Sequence, residues 1–330
     1  MTGLQVTASL VRALRHMLPG EAAWLPSAEV IVEPLPSSRP VLRFIFADGE
    51  AQAVGKFFTA WPPRSSLDRS LLQEYGNYFQ AAVLGLGDGL GLIPRLWGRH
   101  PQLGLGLLLE NLPGVDLDHL LARALRAGED APLYRGLEHL AGLLAFFHTR
   151  PVPEGPVSPY PALRYFDKLR FQLQELGLLS LDDEEALTAE RGAWEDRFRK
   201  FPDRRVLVHG DATPTNFLFD DGRVMALDLE RLKIADRLWD LSWVAGELKH
   251  AWGWRTGNLG GGEAAVSLFF STYLAALPAG GALASRLYFL NPFYMALAEL
   301  RIARNAYLSW DYRLALLAEA RRCLASGRRL

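Results

Sequence analysis

Three residues with oxygen-bearing side chains, Asp211, Asn216 and Asp228, lie in the stretch VLVHGDATPTNFLFDDGRVMALDLE, residues 206–230. Asp211 and Asn216 fall in a loop between two apolar, strand-like runs, and Asp228 ends the next run after the turn-forming DDG. Such a β-loop-β arrangement can bring Asp228 back beside Asn216, and Mg²⁺ prefers carboxylate and amide oxygens of this kind. Asp211 would then be left to accept a hydrogen bond from a substrate hydroxyl and orient it for in-line attack on a phosphoryl group.

A structural interpretation of the same three residues is open at this point. Asp and Asn are common in turns, and an Asp that follows a strand can cap a helix. Each residue taken alone fits that interpretation better. The three together, with His209-Gly210 directly before Asp211, favour a catalytic site.

The elements that must position these residues follow from the apolar pattern. In the first third of the chain short strands are separated by turn-rich segments, which favours an antiparallel meander, and a helix is predicted over 66–85. The predicted strands cover residues 28–35, 41–48, 52–58, 93–100 and 103–112.

Beyond Pro113-Gly114 the pattern becomes mainly helical, interrupted by strand-like runs within 204–229. Predicted helical segments cover residues 116–127, 132–149, 160–178, 182–200, 236–251, 263–277 and 293–326. A chain of 330 residues commonly divides into two lobes. We predict an α+β protein with a small antiparallel-sheet lobe, residues 1–110, and a larger, mainly helical lobe, residues 111–330.

Composition narrows the classes of partner. The 36 Lys and Arg balance 37 Asp and Glu, so no overall field draws the protein to nucleic acid or anionic lipid. The single cysteine, Cys323, rules out an internal disulfide and a cysteine zinc cluster. The N-terminus is typical of an amphipathic helix rather than a signal peptide, and no long uncharged apolar run occurs. We expect a soluble, cytoplasmic protein with neither nucleic acid nor membrane as a partner.

The order HGD-x4-N, a hairpin, LDLE and then ADRLWDL at 235–241 resembles the aminoglycoside phosphotransferase and choline kinase-like family. Members of this family phosphorylate small molecules and are related to the protein kinases. The resemblance covers roughly residues 28–250 and is strongest at 206–244. It implies a bilobal protein-kinase-like fold.

The resemblance also implies roles for the polar residues around the HGD turn. Asp211 would be the catalytic base, and Asn216 and Asp228 would be the Mg²⁺ ligands. Asp240 would be a buried anchor that accepts hydrogen bonds from the backbone of the HGD turn, and His209 would support that loop structurally.

Further roles follow for the first lobe. In kinase-like folds a lysine of the third strand contacts the α and β phosphates and is held by a glutamate of the following helix, and the resemblance makes Lys56 and Glu74 that pair. A solvated helix face is the alternative for Glu74. The segment ENLPG fits the hinge where backbone groups bind the adenine edge, with Glu110, Asn111 and Leu112 as the nucleotide-contacting residues.

One departure from the kinase pattern concerns the loop at 33–40, EPLPSSRP, which lacks the glycines that cover the phosphates in protein kinases. Ser37, Ser38 or their backbone amides are the candidates to replace them. We infer a weaker or more open cover of the phosphates rather than a loss of binding.

The acceptor region implied by the family contains several tryptophans and charges of both signs. Trp239 and Trp243, four residues apart among apolar neighbours, are expected in the core, whereas Trp252 and Trp254 could equally pack or stack on an acceptor ring. A polycationic aminoglycoside would require a clearly acidic cleft, which the mixed charges do not indicate.

The leading hypothesis is transfer of the γ-phosphoryl group of ATP or GTP to a hydroxyl of a small molecule such as a sugar, amino alcohol or aminoglycoside, with Mg²⁺ as cofactor. A nucleotide-binding pseudokinase or regulatory interaction protein is the alternative, supported by the glycine-poor loop. A protein kinase is less favoured, because no recognisable activation segment separates LDLE from the next helix.

Overall fold

The computed structural model describes residues 8–18, 30–37, 41–46, 52–56, 69–87, 90–99, 106–278 and 280–328. The chain forms two compact units. The first comprises Met1–Gly114 with Met225–Arg231, and the second comprises Val115–Val224 with Leu232–Leu330. The first contains a sheet and the second is mainly helical, so the predicted α+β class is confirmed.

The sheet of the first unit is antiparallel. Its strands in the described residues are β1 (Val30–Pro34), β2 (Val41–Phe46), β3 (Gln52–Lys56), β4 (Leu96–Gly98) and β5 (Leu107–Glu110). Their spatial order is β1-β2-β3-β5-β4, and β1 to β3 form the predicted meander. On one face, Phe44 and Phe46 of β2 join Leu14 and Met17 of helix α1 (Ala8–Met17) in a buried apolar cluster. The same pairing fixes Lys56 at the end of β3, opposite Val41.

Helix α2 (Arg69–Val83) carries the next residues of interest in the first unit. Leu71, Glu74 and Tyr78 are buried at the three-to-four-residue spacing of one helix face. Asn77 donates from Nδ2 to the carbonyl oxygens of Leu229, at 2.6 Å, and Glu230, at 3.1 Å. These bonds tie α2 to the short 3₁₀ helix Leu229–Arg231.

The second unit is built from helices that the periodicity largely predicts. They are α3 (Leu117–Ala127), α4 (Asp130–His148), α5 (Tyr160–Glu175), α6 (Leu181–Lys200), α7 (Leu238–Thr256), α8 (Glu263–Ala275), α9 (Gly280–Ala303) and α10 (Trp310–Arg328). Side-chain capping marks the starts of α3 and α6. Asp116 accepts a hydrogen bond from the His119 N–H at 2.7 Å, and Ser180 forms a reciprocal capping box with Asp183.

Short strands interrupt these helices. They are β6 (Val115–Asp116), β7 (Val206–Val208), β8 (Phe217–Asp220), β9 (Arg223–Ala226) and β10 (Lys233–Ala235). β7 pairs antiparallel with β10, a strand that the sequence pattern does not reveal, and all three residues of β7 are buried. A second small sheet has the order β6-β8-β9. The segment after β7 therefore begins from a fixed point in the core.

The C-terminal helical prediction is wrong in its bounds. One helix is predicted over 293–326, but α9 begins at Gly280 and ends at Ala303, and α10 begins at Trp310. The Ser309 carbonyl accepts the N–H of Arg313 at 3.1 Å as the new helix starts. Apolar residues continue in helical spacing across the break, so periodicity alone does not locate it.

No helix within the described residues combines the length and the apolar content needed to span a bilayer.

Candidate active site

In the first unit, Lys56, Glu74 and Asp228 form a compact charged group. Nζ of Lys56 lies 2.6 Å from Oε1 of Glu74 and 2.9 Å from Oδ1 of Asp228. Strand β3 supplies the lysine, α2 supplies the glutamate, and the segment after β9 supplies the aspartate. Because Glu74 is fully buried, the alternative of a solvated helix face is wrong for this residue.

Burial and charge act against each other in this group. Burial would lower the pKa of Lys56, but the carboxylates of Glu74 and Asp228 raise it above its ordinary value. Burial raises the pKa of Glu74 to about 7, although the Lys56 ammonium opposes the rise. Lys56 is therefore a fixed positive charge, held beside carboxylates of which one is largely removed from water.

The backbone around Asp228 is specialised. Asp228 has φ of 55°, a left-handed conformation that is uncommon for residues other than glycine and occurs often at functional sites. The carboxylate of Glu230, two residues later, joins those of Glu74 and Asp228, and one oxygen from each lies within 4.8 Å of the others. The turn thus concentrates acidic oxygens beside Lys56.

The predicted hinge lies at the end of β5. Glu110 is the last residue of that strand, and its backbone N–H donates to the carbonyl of Arg95 at 2.9 Å. Asn111 donates from Nδ2 to Oε1 of Gln52 at 3.0 Å, and Leu112 follows in a segment without regular structure. Of the loop at 33–40, Ser38 and the two residues after it lie outside the described residues.

In the second unit, the HGD turn directly follows β7 and is anchored by Asp240 of α7. The two carboxylate oxygens of Asp240 accept hydrogen bonds from the backbone N–H groups of His209, at 2.7 Å, and Gly210, at 2.8 Å. Gly210 has φ of 81°, which favours glycine at this position. Asp240 and His209 are both fully buried.

A buried chain of hydrogen bonds, the His148 relay, continues from Asp240 through His148 to Tyr273 of α8. His148 Nε2 lies 3.2 Å from Asp240, and His148 Nδ1 lies 2.7 Å from the Tyr273 hydroxyl. Burial lowers the pKa of His148 and raises that of Tyr273 to about 12. Burial would raise the pKa of Asp240, but hydrogen bonds from His148 and the turn lower it. A neutral His148 that donates from Nε2 to Asp240 and accepts from Tyr273 satisfies all three groups.

The loop that follows the turn fixes the backbone of Asp211. The carbonyl of Asp211 accepts hydrogen bonds from the Thr213 N–H, at 2.8 Å, and from Nδ2 of Asn216, at 2.9 Å. Asn216 closes the 3₁₀ helix Pro214–Asn216. His209 Nδ1 accepts the N–H of Asp211 at 3.3 Å. Asp211 is thus held by its main chain, and its partly buried carboxylate projects from a rigid turn.

The prediction that Trp239 and Trp243 of α7 lie in the core is confirmed. Trp239 and Trp243 are buried, whereas Trp254 is 51% exposed and lies edge-on to Tyr312 with ring centroids 5.2 Å apart. Trp252 is intermediate in exposure.

The profile of a phosphotransferase enzyme family matches residues 36–279 of this chain. The chain belongs to this family. Over 161 residues it is 36% identical to the aminoglycoside 3'-phosphotransferase of Streptomyces fradiae, an alignment that covers 43% of this chain and 53% of that protein. The chain therefore spans about half the length of this curated relative.

Solved structures with the same fold extend the family comparison. The choline kinase LicA from Streptococcus pneumoniae is 17% identical, with a TM-score of 0.57, and the match covers 96% of this chain and 99% of that one. The APH(2")-IIa protein in its streptomycin-ATP ternary complex is 14% identical, with a TM-score of 0.57 and coverage of 98% and 97%. At these identities the likeness shows that this family member has the kinase-like fold.

The oxygen donors of this phosphotransferase-family chain fit Mg²⁺. Carboxylates of Glu74, Asp228 and Glu230 lie together in the first unit. In the second unit, Nδ2 of Asn216 donates to the Asp211 carbonyl, so the amide oxygen is the atom left for a cation. Carboxylate and amide oxygens are the ligands that this hard cation takes.

Several residues that lie beside the candidate site residues are not predicted in the sequence analysis. Asn77 lies one turn after Glu74, so helical spacing could have indicated it, and Glu230 lies two residues after Asp228. Arg301 of α9 lies 3.7 Å from Asp211, measured from Nη1 to Oδ1. Nothing in the sequence marks Arg301, because α9 is distant along the chain and its pattern is that of a packed helix.

Proposed function

We propose that this protein transfers the γ-phosphoryl group of ATP or GTP to a hydroxyl of a small molecule. The observation that carries the proposal is the HGD turn, in which Asp240 binds two consecutive N–H groups and Asp211 follows directly. A carboxylate on a turn held in this way is positioned before the acceptor arrives, and phosphoryl transfer depends mostly on positioning and electrostatics.

In this proposal the nucleotide is bound by the first lobe, residues 1–110, and by the hinge that follows. The Lys56 ammonium, held by Glu74, neutralises charge on the α and β phosphates. Backbone groups of Glu110, Asn111 and Leu112 bind the adenine edge, with those of Asn111 and Leu112 preferred because the Glu110 N–H already serves the sheet.

The second lobe, residues 111–330, receives the acceptor. Asp211 accepts a hydrogen bond from the acceptor hydroxyl and takes its proton as the new oxygen-phosphorus bond forms. The bond between the γ-phosphorus and its bridging oxygen breaks, and the nucleoside diphosphate leaves. His209 and Asp240 position Asp211 and do not touch the reacting atoms.

Asn216 and Asp228 would hold Mg²⁺, with Asn216 using its amide oxygen. When bound, the ion supplies positive charge beside the phosphates. We also propose a cytoplasmic location, which a nucleotide co-substrate and the lone, buried Cys323 support.

The decisive test is Asp211→Asn. We expect the variant to bind Mg·ATP as the unchanged protein does but to turn over an acceptor at least about 100-fold more slowly, the scale of a lost general base. Nucleotide consumption would be measured with a panel of hydroxylated small molecules, and nucleotide binding would be measured by calorimetry.

Asp196→Asn is the matched control, because Asp196 is an exposed carboxylate of α6. Its turnover should equal that of the unchanged protein. Full turnover by Asp211→Asn would exclude Asp211 as the base. Nucleotide binding without consumption for every acceptor would favour the pseudokinase alternative.

A further inference from the structure

Arg301 occupies an unusual position for a cation, directly beside the proposed base. Its Nη1 lies 3.7 Å from Oδ1 of Asp211, and its Nη2 contacts Oε1 of Glu247 on α7. Its guanidinium carbon lies 5.2 Å from the centre of the Trp243 ring, so the group also rests against an aromatic face. All four residues belong to the second unit. Arg301 is thus fixed from three sides.

One donor of this guanidinium is not used within the described part of the chain. Nε of Arg301 is buried and has no hydrogen-bond partner there. A buried N–H without a partner is costly, and buried polar groups in native proteins are seldom left in that state. Next to a residue that must receive a hydroxyl, such a donor points to an oxygen atom of the acceptor.

The arginines near Glu247 and His250 are paired with carboxylates of the protein. Arg301 contacts Glu247, and Nη2 of Arg255 lies 2.7 Å from Oδ2 of Asp118. His250 adds no positive charge at neutral pH, because burial, and then the nearby arginines, lower its pKa to about 4. Among these residues, Asp211 is therefore the one carboxylate in excess of the arginines, which is too little negative charge to attract a polycation.

Helix α7 carries a partly aromatic row of side chains that begins at the buried Trp243 beside Arg301. Trp243, Glu247, His250 and Trp254 recur at three- and four-residue spacing, which places them on one helix face. At the end of this face Trp254 is 51% exposed. The exposed apolar ring of Trp254, combined with hydrogen-bond donors, suits an uncharged polyhydroxylated ring.

We propose that Arg301 is a specificity-determining residue that selects an uncharged polyhydroxylated acceptor, such as a sugar or cyclitol, and excludes polycationic aminoglycosides. The proposal rests on the proposed phosphotransferase function and names the substrate class of that same site. Arg301 would donate from Nε to an acceptor oxygen and would cancel the negative charge of Glu247, which a polycation would need.

Binding of kanamycin, a polycationic probe, to the full chain tests the exclusion without requiring turnover. Intrinsic tryptophan fluorescence and calorimetry at low salt would give its dissociation constant. Arg301→Met removes the cation and keeps an unbranched side chain. Kanamycin should therefore bind at least about ten-fold more tightly than to the unchanged protein. A ten-fold change is a modest part of the interaction energy of two unit charges at close range. Arg199→Met is the control, because Arg199 is an exposed arginine of α6 and its loss should leave the affinity unchanged.

Two further variants guard against a merely structural effect. Arg301→Met combined with Glu247→Gln should lose the gain in kanamycin affinity, since the freed carboxylate is then removed. Arg301→Lys keeps the charge but lacks the Nε donor, so it should still exclude kanamycin while the KM for a neutral acceptor rises and kcat changes less. Equal kanamycin affinity in the unchanged protein and Arg301→Met would overturn the proposal.

Nucleotide consumption with three acceptor pools completes the experiment: neutral sugars and cyclitols, cationic amino sugars and aminoglycosides, and hydroxy acids. Turnover with the neutral pool and not with aminoglycosides supports the proposal, whereas turnover with aminoglycosides, or turnover confined to either charged pool, overturns it. Absence of turnover with all three pools counts against the phosphotransferase function itself, and the kanamycin measurements then decide the role of Arg301 alone.

Discussion

Lys56 in the first unit and Asp240 in the second unit are both charged groups withdrawn from water, but their partners differ in kind. Lys56 binds two side-chain carboxylates, those of Glu74 and Asp228. Asp240 binds two backbone N–H groups and His148, which in turn binds Tyr273. Side chains can exchange partners when a ligand enters, whereas backbone groups cannot do so without a change of fold.

This contrast agrees with what each group is proposed to do. Lys56 must give up part of its contact with carboxylates to meet phosphate oxygens, so an ion pair between side chains suits it. Asp240 must hold the HGD turn without movement while Asp211 handles a proton. A fully satisfied polar network gives that rigidity, because every unmade bond in it would be expensive.

Asp240→Ala should produce the largest effect. It leaves two buried backbone N–H groups and His148 without their acceptor, so we expect the free energy of unfolding of the second unit to fall by about 3–5 kcal/mol. Urea unfolding followed by tryptophan fluorescence would measure it, since most of the tryptophans lie in the second unit. Asp196→Ala is the exposed control, and a loss below about 1 kcal/mol for Asp240→Ala would contradict the anchoring role.

Lys56→Met should be intermediate, and its stability effect should be reversible by a second change. Glu74 loses its cation but can take up a proton, so the first unit should lose about 1–3 kcal/mol, and adding Glu74→Gln should bring stability to within about 1 kcal/mol of the original. Thermal melting would measure both variants. No corresponding second change exists for Asp240→Ala, because its main partners are backbone groups.

The same Lys56 variants should lose nucleotide-dependent stabilisation. Mg·ATP at a hundred-fold excess over its dissociation constant should add about 2.7 kcal/mol to the unchanged protein, and most of this should disappear in both variants. Arg69→Met, an exposed arginine at the start of α2, is the control and should retain the full shift. Full stabilisation of Lys56→Met would separate Lys56 from phosphate binding.

The smallest effect concerns pH and the His148 relay. Because burial lowers the pKa of His148, the unfolded chain takes up a proton as pH falls through the ordinary value near 6.5, while the folded protein does not. Stability from a neutral His148 is therefore complete above that pH and lost below it, by up to about 1.4 kcal/mol per pH unit.

His148→Gln should remove this dependence. Unfolding measured at pH 7.5 and 5.5 should show the unchanged protein losing about 1 kcal/mol or more relative to His148→Gln. His139→Gln is the control on the same helix, since His139 is exposed. An identical pH dependence in the unchanged protein and His148→Gln would mean that His148 takes up its proton over the same pH range in the folded protein as in the unfolded chain, and would contradict the lowered pKa.

Much of the fold follows from local pattern. The meander of β1 to β3 and most helices of the second unit lie where apolar period and turn residues predict them. The break between α9 and α10 does not, because helical periodicity runs through it and the break is set by how two helices pack. β10 is also missed, since a three-residue strand has too short a pattern to recognise.

For the site, the sequence indicates which residue types could act, but it identifies only some of the residues that lie beside them in space. Asp211, Asn216 and Asp228 are conspicuous because they are polar residues between apolar strands. Arg301 is not conspicuous, because a charged residue in a helix is ordinary until a distant carboxylate is found beside it. Local spacing is informative only for neighbours along one element.

The sequence by itself determined the two kinds of lobe, the family resemblance and the identity of the residues that could handle phosphate, metal and a proton. These depend on local periodicity, turn chemistry and motif order, all of which are properties of short segments of the sequence. Only the tertiary structure decided which charges cancel. It brought Asp228 to Lys56, buried His148 against Asp240, and set Arg301 between Asp211 and Glu247. Electrostatic partners depend on distance in space and on burial, and neither is fixed until separate helices and strands have packed.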